Sequence, residues 1–140
     1  MNFTRRNILV VGSGALIVAS VAGMPAFASK TDDAISAFTG GAEVTEGGID
    51  LTAPEIAENG NTVPVEVSAP GAVSIMLLAT GNPTPAVATF NFGFLAGTRR
   101  GSTRIRLAKT QDVVAIAKME DGTFRRVGAT VKVTIGGCGG

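Results

Sequence analysis

Residues 126–135 read Arg126-Val127-Gly128-Ala129-Thr130-Val131-Lys132-Val133-Thr134-Ile135 and decide the fold. Val127, Ala129, Val131, Val133 and Ile135 alternate with Arg126, Thr130, Lys132 and Thr134. A period of two sorts into one apolar and one wet face only on an extended strand. Just upstream, Glu120-Asp121-Gly122-Thr123 carries the Asp-Gly pair favoured in tight hairpins, which makes Val113–Met119 the antiparallel partner. Further back, Val73–Ala79 is apolar on both faces apart from Ser74, as expected of a central strand or an interface. Ala69-Pro70-Gly71-Ala72 ahead of it reads as a type II turn.

The remaining segments fit the same plan. Val63, Val65 and Val67 alternate with Thr62, Pro64, Glu66 and Ser68, and Pro64 suggests an edge or a strand start because it cannot donate to a ladder. Ile49-Asp50-Leu51 is a short strand, and residues 53–61 form a breaker-rich loop in which Glu55 and Glu58 read as solvated charges. Ala86–Leu95 carries Phe90, Phe92 and Phe94 on one face, read as β core. Arg99, Arg100, Arg104 and Arg106 make a basic cluster opposite Ile105 and Leu107. Its simplest reading is the wet face of a strand, its functional one a docking surface for anions or acidic partners. Ser29–Phe38 supports one or two helical turns, with Thr31 as N-cap, Asp32 and Asp33 near the positive end of the dipole, and Ile35 and Phe38 on one face. Gly40-Gly41 ends it. The sum is about seven strands joined by Pro/Gly turns. That predicts an all-β fold, an antiparallel immunoglobulin-like sandwich over 48–135, preceded by a segment 29–47 with a short helix.

Composition narrows function. The 140 residues hold no His and one Cys, and the net charge is only +1. Metal and haem sites need several His, Cys or Met ligands, so none is expected. Ser-His-Asp and Cys-His catalysis lacks its base. The near-neutral total argues against a nucleic-acid binder. Charge is nevertheless segregated: residues 29–98 hold eight Asp/Glu against Lys30 alone, and residues 99–140 hold nine Lys/Arg against three Asp/Glu. Pairing within the fold or across an interface is expected.

The chain opens with Arg5-Arg6 ahead of an apolar run from Ile8 to Met24 and the small-x-small sequence Ala26-Phe27-Ala28. Charged, apolar and small-residue regions in that order read as a secretory signal, 1–28, cleaved after Ala28. Thr4-Arg5-Arg6-Asn7-Ile8-Leu9 resembles the twin-arginine (Tat) pattern, which implies export of a folded protein to the periplasm without stable membrane association.

The chain closes with Gly136-Gly137-Cys138-Gly139-Gly140. In an oxidising compartment a structural cysteine normally has a partner; Cys138 has none in its own chain. Glycine on both sides leaves the thiol unshielded and the backbone free, so 136–140 reads as a flexible arm bearing one nucleophile. No Lys or Arg lies within five residues to favour the thiolate, so partners are expected to supply activation. Three readings fit such an end: a cysteine-borne cargo, a terminal thiocarboxylate on Gly140, and an intermolecular disulfide in a structural module.

Four stretches carry a resemblance: Ala53–Val65, Ser102–Lys109, Gln111–Ala115 and the closing Gly136–Gly140. Together they resemble the SoxY family, carrier subunits of the bacterial sulfur-oxidation (Sox) pathway, across the mature chain. The resemblance implies a non-enzymatic carrier that forms a heterodimer with SoxZ. It implies that Cys138 is the covalent attachment site, with Gly136, Gly137, Gly139 and Gly140 as the arm and no cofactor beyond the carried sulfur. SoxAX would join thiosulfate to the cysteine as an S-thiosulfonate, and SoxB would release sulfate to leave a persulfide. SoxCD, where present, would oxidise the remaining sulfane sulfur.

Overall fold

The computed structural model describes residues 26–136. The Asp-Gly hairpin forms as expected. Gly122 takes a positive φ of 84°, and Asp121 Oδ1 accepts from both the Thr123 amide at 2.9 Å and its hydroxyl at 2.6 Å. The hairpin joins β8 (Gln111–Met119) to β9 (Phe124–Ile135), the longest strand. The type II turn forms too: the Ala72 amide donates to the Ala69 carbonyl at 3.0 Å, with Gly71 at φ 80°. It leads into β5 (Ala72–Ala79), which pairs with β8 on one side and β6 (Ala86–Asn91) on the other.

The larger sheet runs β1-β9-β8-β5-β6, with β1 (Val44–Glu46) and β3 (Ile56–Asn59) lying parallel to the two ends of β9. The smaller sheet is β2-β4-β7, antiparallel, from β2 (Asp50–Thr52), β4 (Val63–Ser68) and β7 (Arg100–Ile105). Between them Val63, Val65, Val67, Ile105 and Leu107 meet Ile75, Leu77, Val113 and Val131 in one core. The sandwich is therefore as expected, with two short parallel pairings added. Pro64 sits beyond the reach of β2, which covers only Glu66–Ser68, so its missing donor is tolerated.

Both faces of β5 and β8 are buried, because the outer face of the larger sheet is covered by α1 (Ala26–Thr39). Ala34, Ile35 and Phe38 pack there on Met76, Leu78, Val114, Ile116 and Phe124. Phe38 meets Phe124 edge-on with centroids 6.0 Å apart. Gly40 and Gly41, at φ 66° and 83°, end the helix as expected.

Several expectations fail. α1 is 14 residues long rather than one or two turns, so Thr31 lies inside it, buried, and is not the N-cap. Asp32 and Asp33 lie mid-helix, with no acidic residue in the first turn. Packing on an apolar sheet face extends a helix that local signals alone would keep short. Phe90 and Phe92 pack on the core, but β6 stops at Asn91 and Phe94 is 96% exposed, outside any core. The "loop" 53–61 contains β3, whose four residues show no alternation; it forms by backbone pairing to the edge of β9. Ile135 is 66% exposed, because β9 outruns the sheet that would cover it.

Charge pairing is partly internal. Arg100 meets Glu66 at 2.6 Å, Arg126 meets Glu46 at 3.8 Å and Arg99 meets Glu120 at 3.4 Å. The Glu66 carboxylate holds the Arg100 guanidinium above its ordinary pKa, by hydrogen bond first and charge second.

Candidate functional site: the mount of the C-terminal arm

Of the residues singled out by sequence, Gly137, Cys138, Gly139, Gly140, Arg5 and Arg6 lie outside the described residues. What the structure gives is the place from which the tail departs. β9 ends at Ile135, and both sides of that end are held by hydrogen bonds, on one side to backbone and on the other to the Thr110 hydroxyl. On the β3 side, Asn59 is in register with Ile135. The Gly60 amide donates to the Ile135 carbonyl at 2.7 Å, and the Lys132 amide donates to the Glu55 carbonyl at 2.9 Å. On the other side the Val133 amide donates to Thr110 Oγ1 at 2.9 Å. The Gly60 carbonyl in turn accepts from the Leu107 amide at 2.7 Å, tying the two sides together.

Gly136 is more than a free joint. A Cβ built on it would collide with the Ala108 carbonyl oxygen, so the first arm glycine is required by a close backbone approach. Expected as a source of flexibility, it also serves as a contact.

The 106–111 loop under Gly136 is held by a buried amide pair. Asn82, 2% exposed, donates from Nδ2 to the Arg106 carbonyl at 2.6 Å. Its Oδ1 accepts from the Ala108 amide at 3.0 Å and from Gln111 Nε2 at 2.9 Å. Gln111 Nε2 also donates to the Lys109 carbonyl at 2.9 Å, and its Oε1 accepts from the Gly81 amide at 2.8 Å. Every polar atom of the two amide side chains is used, as burial demands. The sequence gives no sign of this latch: Asn82 between Gly81 and Pro83 has the local chemistry of a turn, and no local signal ties it to Ala108. The stretches 53–65, 102–109 and 111–115, which carry the resemblance, converge here.

The described residues thus define a class: a β-sandwich whose longest strand ends at a point held by hydrogen bonds on both sides. Comparison with known proteins identifies the sandwich. Residues 35–138 match the family described as sulfur oxidation protein SoxY. The sulfur carrier protein SoxY from Chlorobium limicola f thiosulfatophilum superposes with a TM-score of 0.68 at 41% identity, over 77% of this chain and 99% of that one. The chain belongs to the SoxY family. A superoxide reductase (neelaredoxin) from Ignicoccus hospitalis gives a TM-score of 0.55 at 17% identity, over 62% of this chain and 80% of that one. This likeness is one of fold alone. Comparison with curated proteins returned no match.

Membership gives the chain a carrier role in sulfur oxidation, among the partners of the Sox system. No group of three or more metal-ligating side chains clusters among the described residues, and no helix there is long and apolar enough to cross a membrane.

Proposed function

We propose that this protein carries thiosulfate-derived sulfur covalently on Cys138, in the periplasm after Tat export, as the partner of SoxZ. The observation that carries the reading is the family match extending to residue 138, on a tail that starts from the clamped end of β9. In the loading step the Cys138 thiolate and the outer sulfur of thiosulfate form an S–S bond, and two electrons pass to the oxidising partner, SoxAX. SoxB then hydrolyses the adduct with one water, releasing sulfate and two protons and leaving a persulfide. SoxCD, where present, oxidises that sulfane sulfur. The carrier needs no base of its own, because thiolate attack and hydrolysis occur in sites its partners supply. Gly137 and Gly139 beside the sulfur keep the peptide narrow enough to enter those sites.

Intact mass of the exported protein from thiosulfate-grown cells tests this. Adducts matching one sulfur and one thiosulfate are expected on a chain beginning at Ser29, and none on Cys138→Ser. Adducts that persist in Cys138→Ser would point to the Gly140 carboxylate instead and overturn the assignment.

A further inference from the structure

The basic cluster divides into two halves with different surroundings. Arg99 and Arg100 are committed to Glu120 and Glu66, and Arg99 also lies over the Phe92 ring at 5.9 Å. Arg104 and Arg106 have no carboxylate within ion-pair distance among the described residues; the nearest partner of Arg104 is the Thr62 hydroxyl at 3.5 Å. Glu66 faces the same groove as Arg104 but is held by Arg100. Two exposed guanidiniums are thus left uncompensated side by side.

They line one crevice, the gap between the edge strands β6 and β7, together with Asn82, Thr84, Ala86 and Ala88. Asn82, which lines the crevice, also accepts from the Ala108 amide and so ties the crevice to the mount. Arg106 is two residues from Ala108, the residue Gly136 rests on, and its carbonyl is fixed by Asn82. Cys138 is two residues beyond Gly136. At about 3.3–3.6 Å per extended residue, Cys138 is at most about 7 Å of chain from Gly136, while Arg106 is at most about 7 Å and Arg104 at most about 14 Å from Ala108. Two long guanidinium side chains and a tethered sulfonate can bridge such spans.

We propose that Arg104 and Arg106 form an oxyanion site that receives the terminal sulfonate of a cargo carried on Cys138. The site rests on the carrier reading above and adds to it a place for the loaded arm on the sandwich itself. Guanidinium groups match sulfonate oxygens in charge and hydrogen-bonding geometry. Exposed pairs of this kind are individually weak. A short tether, however, raises the effective concentration of the anion to the millimolar range, so a weak site is occupied by a tethered ligand while releasing it readily to a partner. A persulfide lacks the sulfonate and loses this hold, so the site distinguishes the cargo before and after its hydrolysis.

The test uses loading without partner enzymes. Tetrathionate reacts with the Cys138 thiolate at a central sulfur: the new S–S bond yields the cysteine S-thiosulfonate, and the broken one releases thiosulfate, with no net electron transfer. An approaching dianion feels the same guanidiniums, so at low salt the Arg104→Gln/Arg106→Gln double variant should load about tenfold more slowly than wild type. Its rate with uncharged 2,2′-dipyridyl disulfide should be unchanged, and high salt should erase the tetrathionate difference. Loading Cys138 shifts the adjacent Gly137 and Gly139 amide resonances in both proteins, and at low salt the shift should be larger in wild type than in the variant. Equal rates with tetrathionate, equal slowing with both reagents, or identical glycine shifts in both proteins would overturn the proposal. None of these outcomes bears on whether cells load Cys138, which the mass experiment decides separately.

Discussion

The two ends of β9 are held in opposite ways. At Phe124 the strand starts under α1, against Phe38 and the apolar face of β5 and β8, behind a hairpin closed by Asp121 and Gly122. About 35–40 Å away at 3.3 Å per residue, Ile135 is two-thirds exposed. There the strand is fixed by backbone hydrogen bonds from Gly60 and by the Asn82–Gln111 latch under Gly136. Burial is non-directional and forgiving of small shifts. Hydrogen bonds and close backbone approach set position and direction. The end of β9 that precedes the tail is held by the second kind of force, and the end under α1 by the first.

Breaking each end separately should expose that difference. The largest effect is expected at Asn82→Ala. It leaves the Ala108 amide and Arg106 carbonyl without their partners, and losing buried partners at about 1–3 kcal/mol each gives about 3 kcal/mol of destabilisation. Denaturant unfolding should show it, and amide exchange should quicken first at Ala108. Phe38→Ala should cost about 2 kcal/mol, less than a fully buried ring because Phe38 is only partly covered. Here exchange should quicken along β5 and β8 and leave Ala108 unchanged. If both variants loosened the same amides, the two ends of β9 would be one cooperative unit and the contrast would fail.

Those two ends also differ in how much of them sequence reading could reach. Alternation from Val127 to Val133 and the Asp-Gly pair follow from local chemistry, so β8, β9 and their hairpin were legible, as was the two-sided burial of β5. The length of α1 was not, since it depends on a sheet face assembled from distant segments. β3 was missed because it forms by backbone pairing and has no side-chain pattern to read. The latch was missed because a lone Asn beside Pro reads as a turn, and its partners lie 24 to 29 residues away. Cys138 stands out by chemistry alone; the contacts that fix the end of β9 ahead of it do not.

Gly136→Ala sharpens the contrast at a single atom. The added methyl meets the Ala108 carbonyl oxygen, so the backbone of the tail or of the 106–111 loop has to move. Overpacking of this kind costs about 1–2 kcal/mol. Amide shift changes are expected at Ala108, Lys109 and Ile135. Substitution at Gly137, on the far side of the clamp, should leave those three resonances in place. If Gly136→Ala also left them in place, the clamp would not set the direction of the tail.

The smallest expected effect lies at the hairpin end and depends on pH. Hydrogen bonds from the Thr123 hydroxyl and amide hold the Asp121 carboxyl below its ordinary pKa. The folded state therefore favours the ionised form. Its contribution is complete above the unfolded carboxylate value of about 3.9 and is lost as pH falls through the lower folded value. Asp121 is fully exposed, so solvent screening keeps the contribution small. Comparing Asp121→Asn with wild type, the stability gap should be widest near neutral pH and should narrow as pH falls below about 4. A gap that stayed constant across that range would assign the turn to backbone conformation at Gly122 alone. The mount end has no titrating group in its latch, since Asn82 and Gln111 carry no charge. Exchange at Ala108 should therefore follow only the intrinsic pH dependence of amide exchange while the hairpin loosens, which separates the two ends of β9 by a variable that touches only one of them.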